Sequence, residues 1–188
     1  MSMNISGNQD LVVYFLVDCS DSMQDELSRI ERYINEIVPS LQAVNKSYPR
    51  MKMKARVLRF SSTSAFFSSQ TALNIDNFSA RDLISNGQCA VSKAYDQLVQ
   101  QFKGADPKQG NATPPVMILI SDGHFTDDYQ QSLKALKALP MYRLGIRMAF
   151  TPGQNINRQA LLDFTGLEEN IRPLNKFEAM LSIWGRGR

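Results

Sequence analysis

The chain has 188 residues, a formal net charge of +3, and 43% hydrophobic and 21% charged residues. This length suits one domain with a good core and is short for two, so we expect a single domain over residues 1–188, with its core at about 10–184. The weak positive charge is not that of a dedicated nucleic-acid binder. No apolar run reaches the roughly 20 residues that cross a bilayer, and the first residues lack a signal-peptide pattern. We therefore expect a cytoplasmic protein that binds neither nucleic acid nor membrane.

Two cysteines and one histidine are too few for several kinds of site. The cysteines have no C-x-x-C spacing, so a structural zinc site built within this chain is excluded. Catalysis by a Cys-His or Ser-His pair is disfavoured for the same reason. These counts favour a protein that is not an enzyme.

The first predicted strand is the apolar run LVVYFLV at residues 11–17. A continuous run of this kind is typical of a strand buried on both faces, as in parallel sheets. The run ends at Asp18, where a D-x-S-x-S loop begins. Apolar residues at three- and four-residue spacings then predict an amphipathic helix from about Met23 to Val44, which Pro39 kinks or ends early.

The middle of the chain is predicted to form the edge of the sheet. Residues Met51–Phe60 alternate apolar with basic side chains, which predicts a strand with one wet face. We expect Ala65–Phe67 to pair with it as an antiparallel edge strand. One helical turn is expected at Ser79–Ile84, and a second amphipathic helix at Val91–Phe102.

A second buried strand is predicted at Val116–Ile120, and it ends in S-D-G at residues 121–123. The remaining predicted elements are a helix capped by Thr126 or Asp127, a strand at Met141–Phe150, a helix at about Asn157–Thr165, an edge strand at Ile171–Leu174 and a helix from Asn175 to Trp184. Strands that alternate with helices predict an α/β fold. We expect a doubly wound, mostly parallel sheet with one antiparallel edge strand and helices on both faces.

Two acids, Asp18 and Asp122, fall at the carboxyl ends of two buried strands that we expect to be neighbours. Ligands of open α/β sheets bind outside this edge. Ser20 and Ser22 alternate with Asp18, so one carboxylate and two hydroxyls can turn toward one point, which suits a hard cation. The alternative is a helix N-cap, which accounts for one or two of these three residues without a metal.

The arrangement resembles the von Willebrand factor A (vWA) domain and its metal-ion-dependent adhesion site (MIDAS). The order of features agrees: strand, D-x-S-x-S, long helix, edge strands, a glycine-containing turn into a helix, strand, S-D-G. The resemblance implies that Ser20 and Ser22 bind Mg²⁺ or Mn²⁺ directly, and that Asp18 and Asp122 act mostly through water. It also implies an open position that takes a carboxylate from a binding partner.

The third ligand of the family is a threonine from the middle loop, and this chain departs from that pattern. Residues 87–91, GQCAV, align with the loop, so Cys89 stands at the threonine position, or Gln88 if the register slips. A thiol is a poor ligand for Mg²⁺. Water or the amide oxygen of Gln88 could take the place of the threonine ligand. Alternatively, the site is degenerate. Asp21 also replaces the usual glycine and adds an acid near the ion.

The resemblance favours a metal-dependent protein-interaction module that binds Asp or Glu of a separate partner protein. Small stand-alone domains of this type resemble the bacterial tellurite-resistance and stress-response group. A metal-free vWA interaction scaffold is the alternative, supported by Cys89 and Asp21. Metal-assisted phosphoryl transfer at Asp18 is less favoured, because hydrolases that phosphorylate an aspartate have a second acid where this chain has Ser20. The oligomeric state is left open.

Overall fold

The computed structural model describes residues 9–48, 50–62 and 65–176. Within these residues seven strands form one sheet. The strands are β1 (Gln9–Asp18), β2 (Met51–Phe60), β3 (Ala65–Phe67), β4 (Leu73–Asn74), β5 (Val116–Ile120), β6 (Ile146–Thr151) and β7 (Ile171–Pro173). Their order in the sheet is β3-β2-β1-β5-β6-β7, with β4 also paired to β2.

The pairing of the strands confirms a mostly parallel sheet with an antiparallel edge. The pairs β1–β2, β1–β5, β5–β6 and β6–β7 are all parallel. The expected edge strand β3 runs antiparallel to β2, and the two-residue β4, which the sequence did not predict, does the same. Pro173 ends the opposite edge strand β7, a position where proline is tolerated in sheets.

Helices cover both faces of the sheet, as predicted. Val13, Phe15 and Val17 of β1 point into the layer under α1 (Leu27–Ser47), and Tyr14 and Leu16 point into the opposite layer. That second layer is covered by α2 (Val91–Phe102), α3 (Gln130–Lys137), α4 (Pro140–Leu144) and α5 (Arg158–Thr165). Each fully buried side chain of this kind contributes about 1.5–3 kcal/mol, so the doubly buried β1 anchors the core.

The first helix differs from its predicted bounds. Residues Asp21–Glu26 form a 3-10 helix, and α1 begins only at Leu27 and continues to Ser47. Pro39 lies inside α1, so the expected early end is wrong. Pro39 is on the exposed face, where the helix loses one backbone hydrogen bond while Val38 and Leu41 remain packed in the core.

The face of β2 that was predicted to be solvent-exposed is exposed over only part of its length. Lys52 is exposed and Lys54 forms an ion pair with Asp10, but Arg56 is buried at 8% exposure. The Arg56 guanidinium lies 3.6 Å from the ring centroid of Phe67 on the neighbouring strand β3. The face becomes buried there because β3 and α2 cover the carboxyl half of β2.

The helical turn expected at Ser79–Ile84 is wrong, and a 3-10 turn lies instead at Ile75–Asn77. The Asn35 side chain of α1 binds both backbone groups of Ala80: it donates to the carbonyl oxygen at 2.9 Å and accepts from the N–H at 2.8 Å. These two bonds replace the internal hydrogen bonds of a turn and hold the segment against α1.

The strand expected at Met141–Phe150 is also wrong in its first half. Residues Pro140–Leu144 form the short helix α4, and β6 starts at Ile146. Proline at the first turn favours a helix start, and Gly145 separates the two elements. The helix expected from Asn175 to Trp184 lies outside the described residues beyond Lys176. Among the helices that the structure describes, none has the length and apolar character needed to span a membrane.

Candidate functional site

The carboxyl ends of β1 and β5 bring the two predicted acids to one edge of the sheet. Val17 pairs with Ile120 in the parallel register, so Asp18 and the S-D-G turn leave the sheet side by side. Parallel neighbours end at the same edge, and this is why the sequence could predict the juxtaposition.

Asp18 is held firmly at this edge. It is 0% exposed, and its Oδ1 accepts the backbone N–H of Ser20 at 3.0 Å. Its Oδ2 accepts the hydroxyl of Ser121 at 2.6 Å and the thiol of Cys89 at 3.0 Å. Burial raises the pKa of Asp18, while the hydrogen bonds from Ser121, Cys89 and Ser20 oppose the rise.

A row of oxygens connects the loop after β1 to the turn after β5. The Ser20 and Ser22 hydroxyls lie 3.2 Å apart, and Ser22 donates to Oδ2 of Asp122 at 2.9 Å. Asp122 is fixed in turn, because its Oδ1 accepts the backbone N–H of His124 at 2.9 Å. Ser20 occupies the N-cap position of the 3-10 helix but makes no side-chain cap bond. The helix-cap alternative therefore does not account for Ser20.

Cys89, not Gln88, is the middle-loop side chain that faces Asp18. The Cys89 thiol is 2% exposed and donates to Asp18. Burial and the charge of Asp18 raise the pKa of this thiol, so it keeps its proton. Gln88 is exposed, and its backbone N–H donates to the Ser62 hydroxyl at 3.1 Å.

Asp21 does not point at the ion site, although the sequence placed its acid there. Its carboxylate accepts the Gly87 N–H at 2.9 Å, and its own N–H donates to the Gly87 carbonyl oxygen at 2.7 Å. These two hydrogen bonds join the loop after β1 to the middle loop that contains Gly87. Gly87 has φ +70, and a Cβ there would lie 2.6 Å from the Ser62 hydroxyl, so glycine is required.

Asp127 has a role that the sequence did not reveal. Its carboxylate accepts the N–H groups of Val91 at 3.2 Å and Ser92 at 2.8 Å, so it caps α2. The expected cap of its own helix is wrong, because α3 begins at Gln130. The hydroxyl and N–H of Thr126 both donate to the Cys89 carbonyl oxygen at 2.8 Å. Thr126 thus fixes the backbone of Cys89.

The converging donors suit a hard divalent cation. Two hydroxyls and two carboxylates meet at one sheet edge, and oxygen is the donor that Mg²⁺ and Mn²⁺ prefer. Over residues 9–48, 50–62 and 65–176, no group of three or more His, Cys, Asp or Glu side chains is placed to hold a metal.

A family model described as the von Willebrand factor type A domain matches residues 13–178. The chain belongs to the vWA domain family. Members of this family are protein-interaction modules, and the parallel sheet with helices on both faces is their fold.

This vWA domain is similar to parts of longer proteins at low sequence identity. The human collagen alpha-5(VI) chain is 25% identical over 181 residues, which is 91% of this chain and 6% of that one. Proximal thread matrix protein 1 (PTMP1) of the mussel byssus matches 94% of this chain and 47% of its own, with TM-score 0.65 and 16% identity. That structure holds zinc in its MIDAS motif. A vWA structure from Catenulispora acidiphila gives TM-score 0.66 at 14% identity, over 94% of this chain and 42% of that one. These two structures show the shared fold alone.

Proposed function

We propose that this vWA domain is a metal-dependent protein-interaction module. Mg²⁺ or Mn²⁺ would be held at the edge formed by Asp18, Ser20, Ser22 and Asp122, and would receive an Asp or Glu side chain from a partner protein. The observation that carries the proposal is the unbroken row of oxygens from Ser20 through Ser22 to Asp122, next to the buried carboxylate of Asp18.

The contacts of each side chain suggest its role. The hydroxyls of Ser20 and Ser22 are the neutral donors that would bind the ion directly. Asp18 already accepts three hydrogen bonds from the protein, which favours contact with the ion through water. A bound divalent ion with few direct anionic ligands keeps an open position that attracts an outside carboxylate. The zinc in the MIDAS motif of PTMP1 supports a divalent ion at the equivalent place.

A metal-free interaction scaffold is the second candidate function. Cys89 favours it, because its protonated thiol donates to Asp18 where the family has a hydroxyl oxygen. This candidate predicts partner binding that a chelator does not change. The metal-dependent proposal predicts that chelation abolishes binding.

We also propose that the domain is not an enzyme. Phosphoryl transfer to Asp18 would need a carboxylate oxygen free to act as nucleophile, but both oxygens of Asp18 accept hydrogen bonds from the protein. Named relatives include a collagen chain and a thread matrix protein, which suits an interaction role.

Three expectations from the sequence stay predictions. They are the single domain over residues 1–188, the cytoplasmic location, and the link to tellurite-resistance and stress-response proteins.

A carboxylate probe tests the proposal without a known partner. Mn²⁺ bound with exchangeable water accelerates the relaxation of bulk water protons, and a carboxylate that displaces this water reduces the effect. We expect N-acetyl-aspartate amide to reduce it and N-acetyl-asparagine amide to leave it unchanged. A Ser20→Ala/Ser22→Ala variant should show no enhancement beyond the effect of free Mn²⁺. Equal effects of the acid and the amide, or full enhancement in the variant, would refute the proposal.

A further inference from the structure

A pocket of about 240 Å³ lies beside the candidate metal site. Its wall includes Cys19, Arg59 at the carboxyl end of β2, Phe66 of β3, and Ile84 and Asn86 of the segment before α2. We call it the Phe66–Ile84 pocket. Its volume is below the roughly 300 Å³ at which small-molecule sites begin, and is closer to the size of one or two amino-acid side chains.

The Phe66–Ile84 pocket shares its wall with the loop that carries Asp18 and Ser20. Cys19 lies between these two residues in the chain, and its carbonyl oxygen accepts the Asn86 N–H at 2.8 Å. A partner segment that places a carboxylate at Ser20 and Ser22 therefore lies within a few residues' reach of the pocket.

The rim of the Phe66–Ile84 pocket exposes apolar surface. Ile84 is 73% exposed and Phe66 is 45% exposed, although both residue types are usually buried. An aliphatic or aromatic side chain that entered between them would remove this surface from water. Burial of such a side chain is a main source of binding energy at the centre of protein interfaces.

Arg59 gives the Phe66–Ile84 pocket a positive charge. Its guanidinium carbon lies 4.6 Å from the ring centroid of Phe66, and its Nη1 donates to the Asp82 carbonyl oxygen at 2.5 Å. Its Nε is buried without a hydrogen-bond partner, and none of the ion pairs within the described ranges involves Arg59. No acid in these ion pairs neutralises the guanidinium, so its charge favours acidic groups of a partner at the pocket.

We propose that the Phe66–Ile84 pocket is the second contact of the partner and sets its sequence preference. The partner is an acidic protein loop in which an aliphatic or aromatic residue lies close in sequence to the Asp or Glu that reaches the metal. The apolar side chain enters between Phe66 and Ile84, and Arg59 favours further acids beside it. This inference rests on the proposed metal-dependent function and names the partner class for it.

A random-peptide phage library selected on the full chain in Mn²⁺ tests the inference. Enriched peptides should carry Asp or Glu with an aliphatic or aromatic residue at a fixed short spacing. One enriched peptide is then titrated into Ile84→Ser and into the matched control Ile146→Ser, whose isoleucine is 47% exposed at the opposite end of the sheet. We expect Ile84→Ser to weaken binding about tenfold and Ile146→Ser to leave it unchanged.

The outcomes separate this inference from the function on which it rests. Enriched peptides that hold an acid but no apolar preference, or unchanged affinity in Ile84→Ser, overturn the pocket assignment while the metal-dependent function stands. A library that yields no binder sensitive to chelator overturns both. A loss of binding in Ile146→Ser equal to that in Ile84→Ser also overturns the assignment, because the effect is then not local to the pocket.

Discussion

Cys89 donates its thiol proton to Oδ2 of Asp18 over 3.0 Å, on the buried side of the candidate metal site. The thiol and the Ser121 hydroxyl share that oxygen, so the carboxylate is oriented from two sides. The thiol can hold Asp18 in place as a hydroxyl would, but it is too soft to be a good ligand for Mg²⁺. We therefore expect position 89 to influence which ion the proposed site prefers.

Replacing the thiol with a hydroxyl should strengthen Mg²⁺ binding. Cys89→Ser keeps the size of the side chain and the hydrogen bond to Asp18, and offers an oxygen to the ion. We expect the Mg²⁺ affinity to rise about tenfold, as for other changes next to metal ligands. Titration calorimetry measures it, with Cys19→Ser as the control. Unchanged affinity in Cys89→Ser would show that position 89 does not reach the ion.

Asp127 should stabilise the fold through α2. Asp127→Ala leaves the N–H groups of Val91 and Ser92 without their cap, so we expect a loss of about 1 kcal/mol in the free energy of unfolding. Urea denaturation measures it. The exposed acid Asp96 on α2 itself provides the matched control, and Asp96→Ala should lower the free energy of unfolding by less than about 0.5 kcal/mol. Equal losses in the two variants would contradict the capping role.

Gly87→Ala should destabilise the chain more than Gly104→Ala. Both glycines have positive φ, +70 and +79, so both variants incur about 1–2 kcal/mol of backbone strain. Only at Gly87 does the new Cβ meet another atom, the Ser62 hydroxyl at 2.6 Å, while nothing lies within 4 Å at Gly104. The difference in urea midpoints reports this contact. Identical midpoints would mean that the loop at Gly87 adjusts freely.

The Tyr129 and Asp163 pair predicts a pH-dependent contribution to stability. Tyr129 donates to Asp163 at 2.8 Å. Slight burial of Asp163 acts to raise its pKa, but hydrogen bonds from Gln159, Tyr129 and Gln130 outweigh it, and the pKa is lowered from 3.8. A lowered pKa stabilises the fold above the unfolded value, and the contribution is lost as the pH falls through the folded value.

Tyr129→Phe should therefore lower the free energy of unfolding by about 0.5–1.5 kcal/mol at neutral pH. The loss should be smaller once the pH falls below 3.8, the pKa of Asp163 in the unfolded chain. Urea midpoints measured across the acid range test this, with the exposed Tyr48→Phe as control. A Tyr129→Phe loss that stays constant down to low pH would show that Asp163 is not the partner that matters.

The sequence predicted the elements whose pattern is local. The continuous apolar runs of β1 and β5 are typical of buried strands, and their shared edge followed from parallel pairing. Individual side-chain hydrogen bonds between distant segments could not be predicted. The Asp127 cap joins residues 35 and 36 positions apart, and Asn35 reaches Ala80 across 45 positions. A side chain that satisfies a distant backbone looks in the sequence like an ordinary local cap or turn residue.

The sequence predicted which residues lie at the site, but not where each side chain points. Asp18, Ser20, Ser22 and Asp122 were identified from motif and strand ends, and the structure brings them together. The direction of Asp21 was not predictable, because its partner Gly87 lies 66 residues further along the chain.

The binding of Mg²⁺ and Mn²⁺ to chelator-stripped protein, measured by titration calorimetry, tests the central claim most directly. The Ser20→Ala/Ser22→Ala variant removes both candidate hydroxyl ligands, and Ser47→Ala removes an exposed serine at the far end of α1. We predict one site per chain in the natural sequence and in Ser47→Ala, and no binding in the double variant. Undiminished binding in the double variant, or none in the natural sequence, would contradict the proposed site.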